Sequence, residues 1–394
     1  MKRNRRRATI LFCVPLFTFT FLFIMHAKTG GYSETDLVVN KEVNTTPTLV
    51  DGHGITHIAK FFDPNLVNPW GIGESSGSPF WISDNGAGVS TLYNTAGTPQ
   101  SLIVSIPSPG NPLGTMGTPT GIVFNTASAK GAFAISGFTK AGSAVTAPAV
   151  FLFATEDGTI LGWNPNVNPP GFDPAKAGRY AIIAVHPPNA VYKGLAIATD
   201  TGGTTRLYAA NFRAGTVDVF NTSFTPVPSI PAFFDPDLPR GYAPFNVVPI
   251  TTGGTTRMFV TYALQDDTKH DDVAGESHGI VDTFGLDGSM LRRFAQHGQL
   301  NSPWGVALAP ASFGTLGGTL WIGNFGNGHI DAYDPMTGEF IDKVRDSHGQ
   351  AIVIDGLWTI MFGNGGNGGL ANTLYFTAGV NGEQDGLFGN LNPE

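Results

Sequence analysis

Six times along this chain a turn leads into a short apolar strand: Pro69-Trp70-Gly71-Ile72, Pro119-Thr120-Gly121-Ile122, Tyr192-Lys193-Gly194-Leu195, Pro244-Phe245-Asn246-Val247, Pro303-Trp304-Gly305-Val306 and Asp355-Gly356-Leu357-Trp358. A recurring unit constrains the fold more than any local propensity, because one unit cannot bury its apolar face alone and must stack on its neighbours. The turn positions 71, 121, 194, 246, 305 and 356 are spaced at or above the ~40–50 residues of a propeller blade. Longer gaps mark insertions.

A second strand follows each start, centred on Phe80-Trp81-Ile82, Phe151-Leu152-Phe153, Leu207-Tyr208-Ala209, Met258-Phe259-Val260, Leu320-Trp321-Ile322 and Leu374-Tyr375-Phe376. A third opens after glycine, as at residues 215–220 and 328–333, with the period-two alternation of a half-buried strand. Fourth strands fall at residues 102–106, 180–185, 232–234, 291–294 and 340–344. In the second unit residues 150–153 make a better second strand than residues 132–135, because Glu156-Asp157-Gly158-Thr159-Ile160 then matches the turn of the other units.

The sixth unit has no fourth strand before Glu394, and residues 55–62 are the expected donor. They lead into Asp63-Pro64-Asn65 as Phe233-Phe234-Asp235-Pro236-Asp237 leads into the fourth unit. The expected fold is all-β, a six-bladed β-propeller over residues 51–394, closed by an N-terminal strand that completes the last blade and leaves no open sheet edges. A β-sandwich or β-helix is the competing architecture. The 52 glycines, 28 prolines and 13% charged residues favour this class, and 41% apolar residues exclude a disordered chain.

Residues 1–27 read as an export signal: Lys2, Arg3, Arg5, Arg6 and Arg7 precede an uncharged run over residues 8–27. A cleaved signal and a retained anchor both stay open, since the run approaches the ~20 residues that span a bilayer and Met25-His26-Ala27 is a poor small-x-small cleavage site. Residues 28–50, polar and turn-rich, read as a linker. The expected location is extracytoplasmic, secreted or membrane-anchored, with membrane contact only through residues 8–27. The single cysteine, Cys13, lies in the leader, so the body has no disulfide and no cysteine ligand. A net charge of −8, despite five cations in the first seven residues, repels phosphate backbones and excludes nucleic acid as a partner. An extracellular protein or a small molecule remains.

Asn68-Pro69-Trp70-Gly71, the run Ala154-Thr155-Glu156-Asp157-Gly158-Thr159-Ile160 continuing to Trp163-Asn164-Pro165, and Lys269-His270-Asp271-Asp272-Val273-Ala274-Gly275 resemble an uncharacterised bacterial extracellular β-propeller family. Some of its members carry a Pro-Glu-Pro sorting signal at the C-terminus. The resemblance covers residues 55–392, extends distantly to six-bladed propellers of NHL-type repeats, and implies no established activity. This chain departs from those members by ending at Asn392-Pro393-Glu394.

Loops from second to third strands, and from fourth strands to the next unit, should share one face, where ligands of closed β folds gather. Aligned turns place Asp84, Glu156, Asn211 and Asn324 there, two carboxylates and two amides suited to a hard cation such as calcium; these residue types also serve turns through local hydrogen bonds. An insertion on the same face carries Asp266, Asp267, His270, Asp271, Asp272, Glu276 and His278, a possible calcium or zinc loop without EF-hand spacing, or a solvated turn. His186, His297 and His348 are expected on this face as well. Gly73-Glu74-Ser75-Ser76-Gly77 and Gly275-Glu276-Ser277-His278-Gly279 match G-x-S-x-G, but neither sits in a strand-turn-helix elbow. A binding or scaffolding module is the expected function, and a metal-dependent, lactonase-like hydrolase the alternative.

Overall fold

The structure, a computed structural model, describes residues 30–114, 117–228 and 233–394. The expected export signal, with Cys13, lies outside the described residues. Among those described, no helix is long and apolar enough to cross a membrane.

The glycine-punctuated apolar runs form small antiparallel sheets, and each of the six starts begins one of the larger ones. The first sheet takes Pro69–Gly73, Phe80–Asp84, Val89–Tyr93 and Val104–Ser105. The second takes Pro119–Phe124, Phe151–Thr155, Ile160–Trp163 and Ile182–Val185. Its expected second strand is the one observed, and Ala134–Phe138 pairs instead with Ala144–Pro148 in an inserted hairpin. The third sheet shows Tyr192–Thr199, Thr205–Asn211 and Thr216–Phe220. Its expected fourth strand at residues 232–234 begins outside the described residues. The fourth sheet holds Tyr242–Thr252, Thr255–Leu264, Ile280–Phe284 and Met290–Gln296; the fifth, Pro303–Leu308, Leu320–Asn324, Ile330–Tyr333 and Phe340–Lys343.

One irregularity recurs in all six. The register between first and second strands shifts at Trp70, Thr120, Lys193, Phe245, Trp304 and Trp358, where a bulge adds one residue and bends the strand. All six bulge residues are buried. Trp70 stacks on Trp358 at 3.5 Å, Trp304 meets both edge-on, and Phe245 lies 5.9 Å from Trp358. In the sixth unit the equivalent of Gly71 is Thr359; Gly356 sits in the preceding turn at φ +65°, a position that favours glycine.

The first strands lie side by side. A β-carbon on Gly71 would stand 2.5 Å from the Thr120 carbonyl oxygen, and one on Gly305 2.7 Å from that of Trp358. Gly121 and Gly194 approach Leu195 and Asn246 as closely. Where a larger residue replaces glycine it bonds its neighbour instead: Asn246 Nδ2 donates to the Trp304 carbonyl at 2.8 Å and Thr359 Oγ1 to that of Trp70 at 2.7 Å.

The sixth sheet corrects two expectations. Its order is Leu357–Phe362, Leu374–Ala378, Leu387–Pro393, Tyr32–Val39, Phe61–Phe62. The strand beside Leu387–Pro393 is therefore Tyr32–Val39, antiparallel, with Tyr32 opposite Pro393 and Val39 opposite Leu387. Of residues 55–62, only Phe61–Phe62 joins this sheet, in parallel at its edge. Thr56–Ile58 belongs to a separate sheet with Glu42–Val43 and Thr46–Val50. Residues 28–50 are thus not a linker where they are described. Ser33-Glu34-Thr35-Asp36 disguised the strand as polar, while Leu37, Val38 and Val39 are fully buried. Tyr32 Oη donates to the Phe313 carbonyl at 3.0 Å and accepts from Leu316 N at 2.9 Å, fixing the strand to the fifth sheet's connection.

Leu37→Ala should therefore cost ~2–5 kcal/mol, the range for emptying a packed core site. The exposed Leu370→Ala should stay within ~0.5 kcal/mol of the parent. Urea denaturation followed by tryptophan fluorescence measures both; equally small losses would separate Tyr32–Val39 from the cooperative core.

Candidate functional site

The bulge layer carries one charge. Lys193 occupies the position that is tryptophan in the first, fifth and sixth sheets, and it is 2% exposed. An ammonium withdrawn from water needs compensation. It finds Glu156, in an ion pair, and Asp271 at 3.2 Å, with the Trp70 ring centre 5.1 Å away. Burial opposes the charge of Lys193, but Glu156 and then Asp271 outweigh it and hold its pKa above the ordinary lysine value.

Further polar groups surround this pair. Asn85 Nδ2 donates to Glu156 at 2.8 Å, and Asn68 Nδ2 donates to Glu383 at 2.6 Å while its Oδ1 accepts from Trp358 Nε1 at 3.1 Å. Burial pushes Glu383 up to about 7, against the Asn68 bond. His270 Nδ1 lies 2.8 Å from Asp271 Oδ1. That hydrogen bond, opposed by burial and reinforced by Lys193, holds the Asp271 carboxyl well below the usual range.

Of the four aligned turn residues, only Glu156 reaches this cluster. Asp84, Asn211 and Asn324 end their second strands and bond the polar side chain seven positions ahead: Asp84 accepts from Thr91 Oγ1 at 2.8 Å, Asn211 donates to Asp218 at 2.9 Å, and Asn324 donates to Asp331 at 2.8 Å. They are brackets between second and third strands. The residue opposite Pro119, as Asp84 is opposite Pro69, is Thr155, which bonds Thr159 at 2.7 Å. Glu156 is one residue further along, and a one-residue step turns a side chain to the other side.

The insertion divides too. His270 and Asp271 join Glu156, their ligand atoms lying within 4.8 Å of one another. Asp266 shapes the loop by accepting from His270 N at 2.8 Å and Thr268 Oγ1 at 2.6 Å. Burial raises the pKa of Asp272, with Ser302 opposing. Glu276 is exposed, and His278 bonds the Val273 carbonyl at 3.0 Å. His186 is exposed, His297 bonds the Ser277 carbonyl, and His348 faces Asp346. Ser75 serves its own turn through Ser78 N, and Ser277 Oγ donates to the Gly298 carbonyl, so neither G-x-S-x-G hydroxyl is bonded to a histidine base.

Toward the other end of the first strands is a cavity of about 400 Å³, lined by all six. Ile72, Ile122, Leu195, Val247, Val306 and Ile360 face it, and Trp304 of the bulge layer reaches into its lining. Glu74 is its one ionisable lining group. Burial, opposed by a backbone bond from Asn364, pushes Glu74 up to about 8, and its Oε2 has no hydrogen-bond partner. A carboxyl with a raised pKa can, when protonated, donate one hydrogen bond. Sequence reading did not single out this cavity, because a first strand that lines it carries the same apolar residues as one that only packs on its neighbours.

No family model matches the chain. It is 31% identical over 353 residues to the uncharacterised protein R648 of Acanthamoeba polyphaga mimivirus, a match covering 85% of this chain and 77% of that protein. It is 31% identical over 346 residues to the uncharacterised protein L690 of the same virus, covering 85% and 82%. Among solved structures it is similar to a streptogramin B lyase, with a TM-score of 0.47 and 11% identity over 93% of this chain and 98% of that one. A PQQ-bound aldose sugar dehydrogenase from Streptomyces coelicolor gives 0.48 and 13%, over 93% and 98%. At the level of sequence, the chain belongs to the family of mimivirus proteins R648 and L690.

Proposed function

We propose that the six larger sheets are the blades of a six-bladed β-propeller closed by Tyr32–Val39, and that the protein is a binding module. Its guest is a small, largely apolar molecule held in the cavity and hydrogen-bonded to Glu74. The observation that carries this reading is a cavity of about 400 Å³ lined by all six first strands with one ionisable group, a size and character typical of small-molecule sites. The propeller reading draws support from the six equivalent bulges and from the Thr359 bond returning to Trp70. An extracytoplasmic location, as in the bacterial family that the motifs resemble, draws support from the basic-then-apolar residues 1–27.

The hydrolase reading rests on the convergence of Glu156, His270 and Asp271. Its difficulty is Lys193, which already neutralises those carboxylates, so that calcium or zinc would have to displace a buried ammonium. We read this cluster as a polar lock over the aromatic layer.

N-phenyl-1-naphthylamine, apolar with a single N–H, should bind saturably with a fluorescence rise. Val306→Trp, which fills the cavity, should weaken binding ~10-fold or more, equivalent to ~1.4 kcal/mol. No rise, or an unchanged rise in the filled variant, would sink the cavity reading.

Glu74 also predicts a pH dependence. Its folded pKa, about 8, stands above the ordinary 4.5, so from 4.5 to 8 the unfolded chain releases a proton that the folded chain keeps. Stability is lost across that window as pH rises. Urea midpoints of Glu74→Gln should fall less between these pH values than those of the parent; parallel curves would remove the buried acid.

Lys193→Met should cost ~3–5 kcal/mol at neutral pH, because Glu156 is left without its counter-charge. Thermal unfolding of Lys193→Met beside Lys193→Met/Glu156→Gln tests it: the second change should restore part of the loss, and further loss would contradict the lock.

A further inference from the structure

We propose that Glu34, Asp36 and His57 bind one divalent transition-metal ion, of which zinc best suits the donors, with Asp51 holding the imidazole in place. Sequence reading singled out none of these residues. Glu34 and Asp36 stand two apart on Tyr32–Val39 and so face the same side. His57 is the one buried residue of Thr56–Ile58, the strand packed over them. Its Nδ1 lies 3.2 Å from Asp36 Oδ1 and 3.9 Å from Glu34 Oε1, and the three ligand atoms fall within 4.8 Å of one another. Ligands about 2.0–2.1 Å from a tetrahedral zinc stand ~3.3 Å apart, so small side-chain adjustments admit the ion.

Three observations separate this cluster from an ordinary acidic patch. Asp51 and His57 are each 5% exposed, yet Asp51 Oδ2 and His57 Nε2 have no hydrogen-bond partner, and they face one another at 3.5 Å. Glu34 Oε1 is buried and unpartnered as well. The Asp51 carboxylate is itself held, its Oδ1 accepting from Ile55 N at 2.7 Å and His53 N at 3.0 Å. A carboxylate behind one ring nitrogen, with metal donors before the other, is the arrangement that orients histidine ligands of metals. Finally, among the described residues the three carboxylates pair with histidines alone, without lysine or arginine. At Glu156, His270 and Asp271 the carboxylates already face a buried lysine, Lys193; here only imidazoles face them, and an imidazole can exchange its proton for a metal ion.

One imidazole nitrogen with two carboxylates favours zinc over calcium, which seeks an all-oxygen shell. Three protein ligands leave a position for water or a guest. The ion would also tie the small sheet to the strand that completes the sixth.

The test uses the full chain freed of metal with a chelator and titrated with zinc chloride in a calorimeter. We expect one zinc per chain, no heat with calcium, and a melting temperature raised by ~2 °C or more at saturation. His57→Ala should abolish binding and Asp51→Asn weaken it ~10–100-fold, while His270→Ala leaves it unchanged. Glu34→Gln, close in shape to the parent, stands in if His57→Ala does not fold, and cobalt absorption reports a nitrogen–oxygen tetrahedral site directly. Absence of binding to the parent chain overturns the proposal. So does zinc retained by His57→Ala or Glu34→Gln, or lost on His270→Ala, the last assigning the ion to Glu156, His270 and Asp271.

Discussion

The first strand of each larger sheet approaches the next so closely that a β-carbon at Gly71, Gly121, Gly194 or Gly305 would collide with it. This proximity is the constraint on which the other features depend. Glycine is used where no side chain fits, and where the chain departs from glycine, Asn246 and Thr359 turn the same closeness into hydrogen bonds to the next strand's carbonyl. A bulge just before each of these positions turns one residue per sheet into a common layer. Three tryptophans, a phenylalanine, a threonine and a lysine fill that layer. Below it the first strands line a cavity, while their aliphatic side chains pack into the cores beside them.

The layer separates two chemistries. On one side Lys193 draws Glu156 and Asp271 together, and Asn68, Asn85 and Glu383 extend the network. A buried ion pair of this kind adds little net stability over an apolar substitute, but losing one partner is costly. Its physical consequence is that the acidic insertion is fastened to the third sheet's first strand. On the other side the cavity has no such network, and burial pushes the Glu74 carboxyl above the usual range. Reading function from charge density leads to the first side; reading it from unoccupied volume leads to the second.

The six starts and their second strands were legible because apolar triplets bounded by turns have few alternatives at this spacing. The sixth start slipped by three residues because Gly356, which serves a turn at positive φ, looks like the glycine that Thr359 replaces. Glu156 aligned with Asp84 for a similar reason: an acidic residue in a turn is easy to match, and only the pairing of Pro119 with Thr155 shows the offset. The cavity had no signature, since Ile72 or Val306 reads the same whether it faces a channel or a packed sheet.

The miss at Tyr32–Val39 is of another kind. A strand that completes a sheet and is largely buried should read as apolar alternation, and this one carries Glu34 and Asp36 on one side. Local pattern and global fold disagree there, and such disagreements are expected at functional or strained positions. Aliphatic residues at these two positions would have made the strand readable and would have left His57 facing an apolar wall, with Asp51 behind it and no donors in front. The carboxylates make sense only as part of the arrangement that His57 and Asp51 complete. The polarity that hid the strand and the convergence of Glu34, Asp36 and His57 thus come from the same two carboxylates.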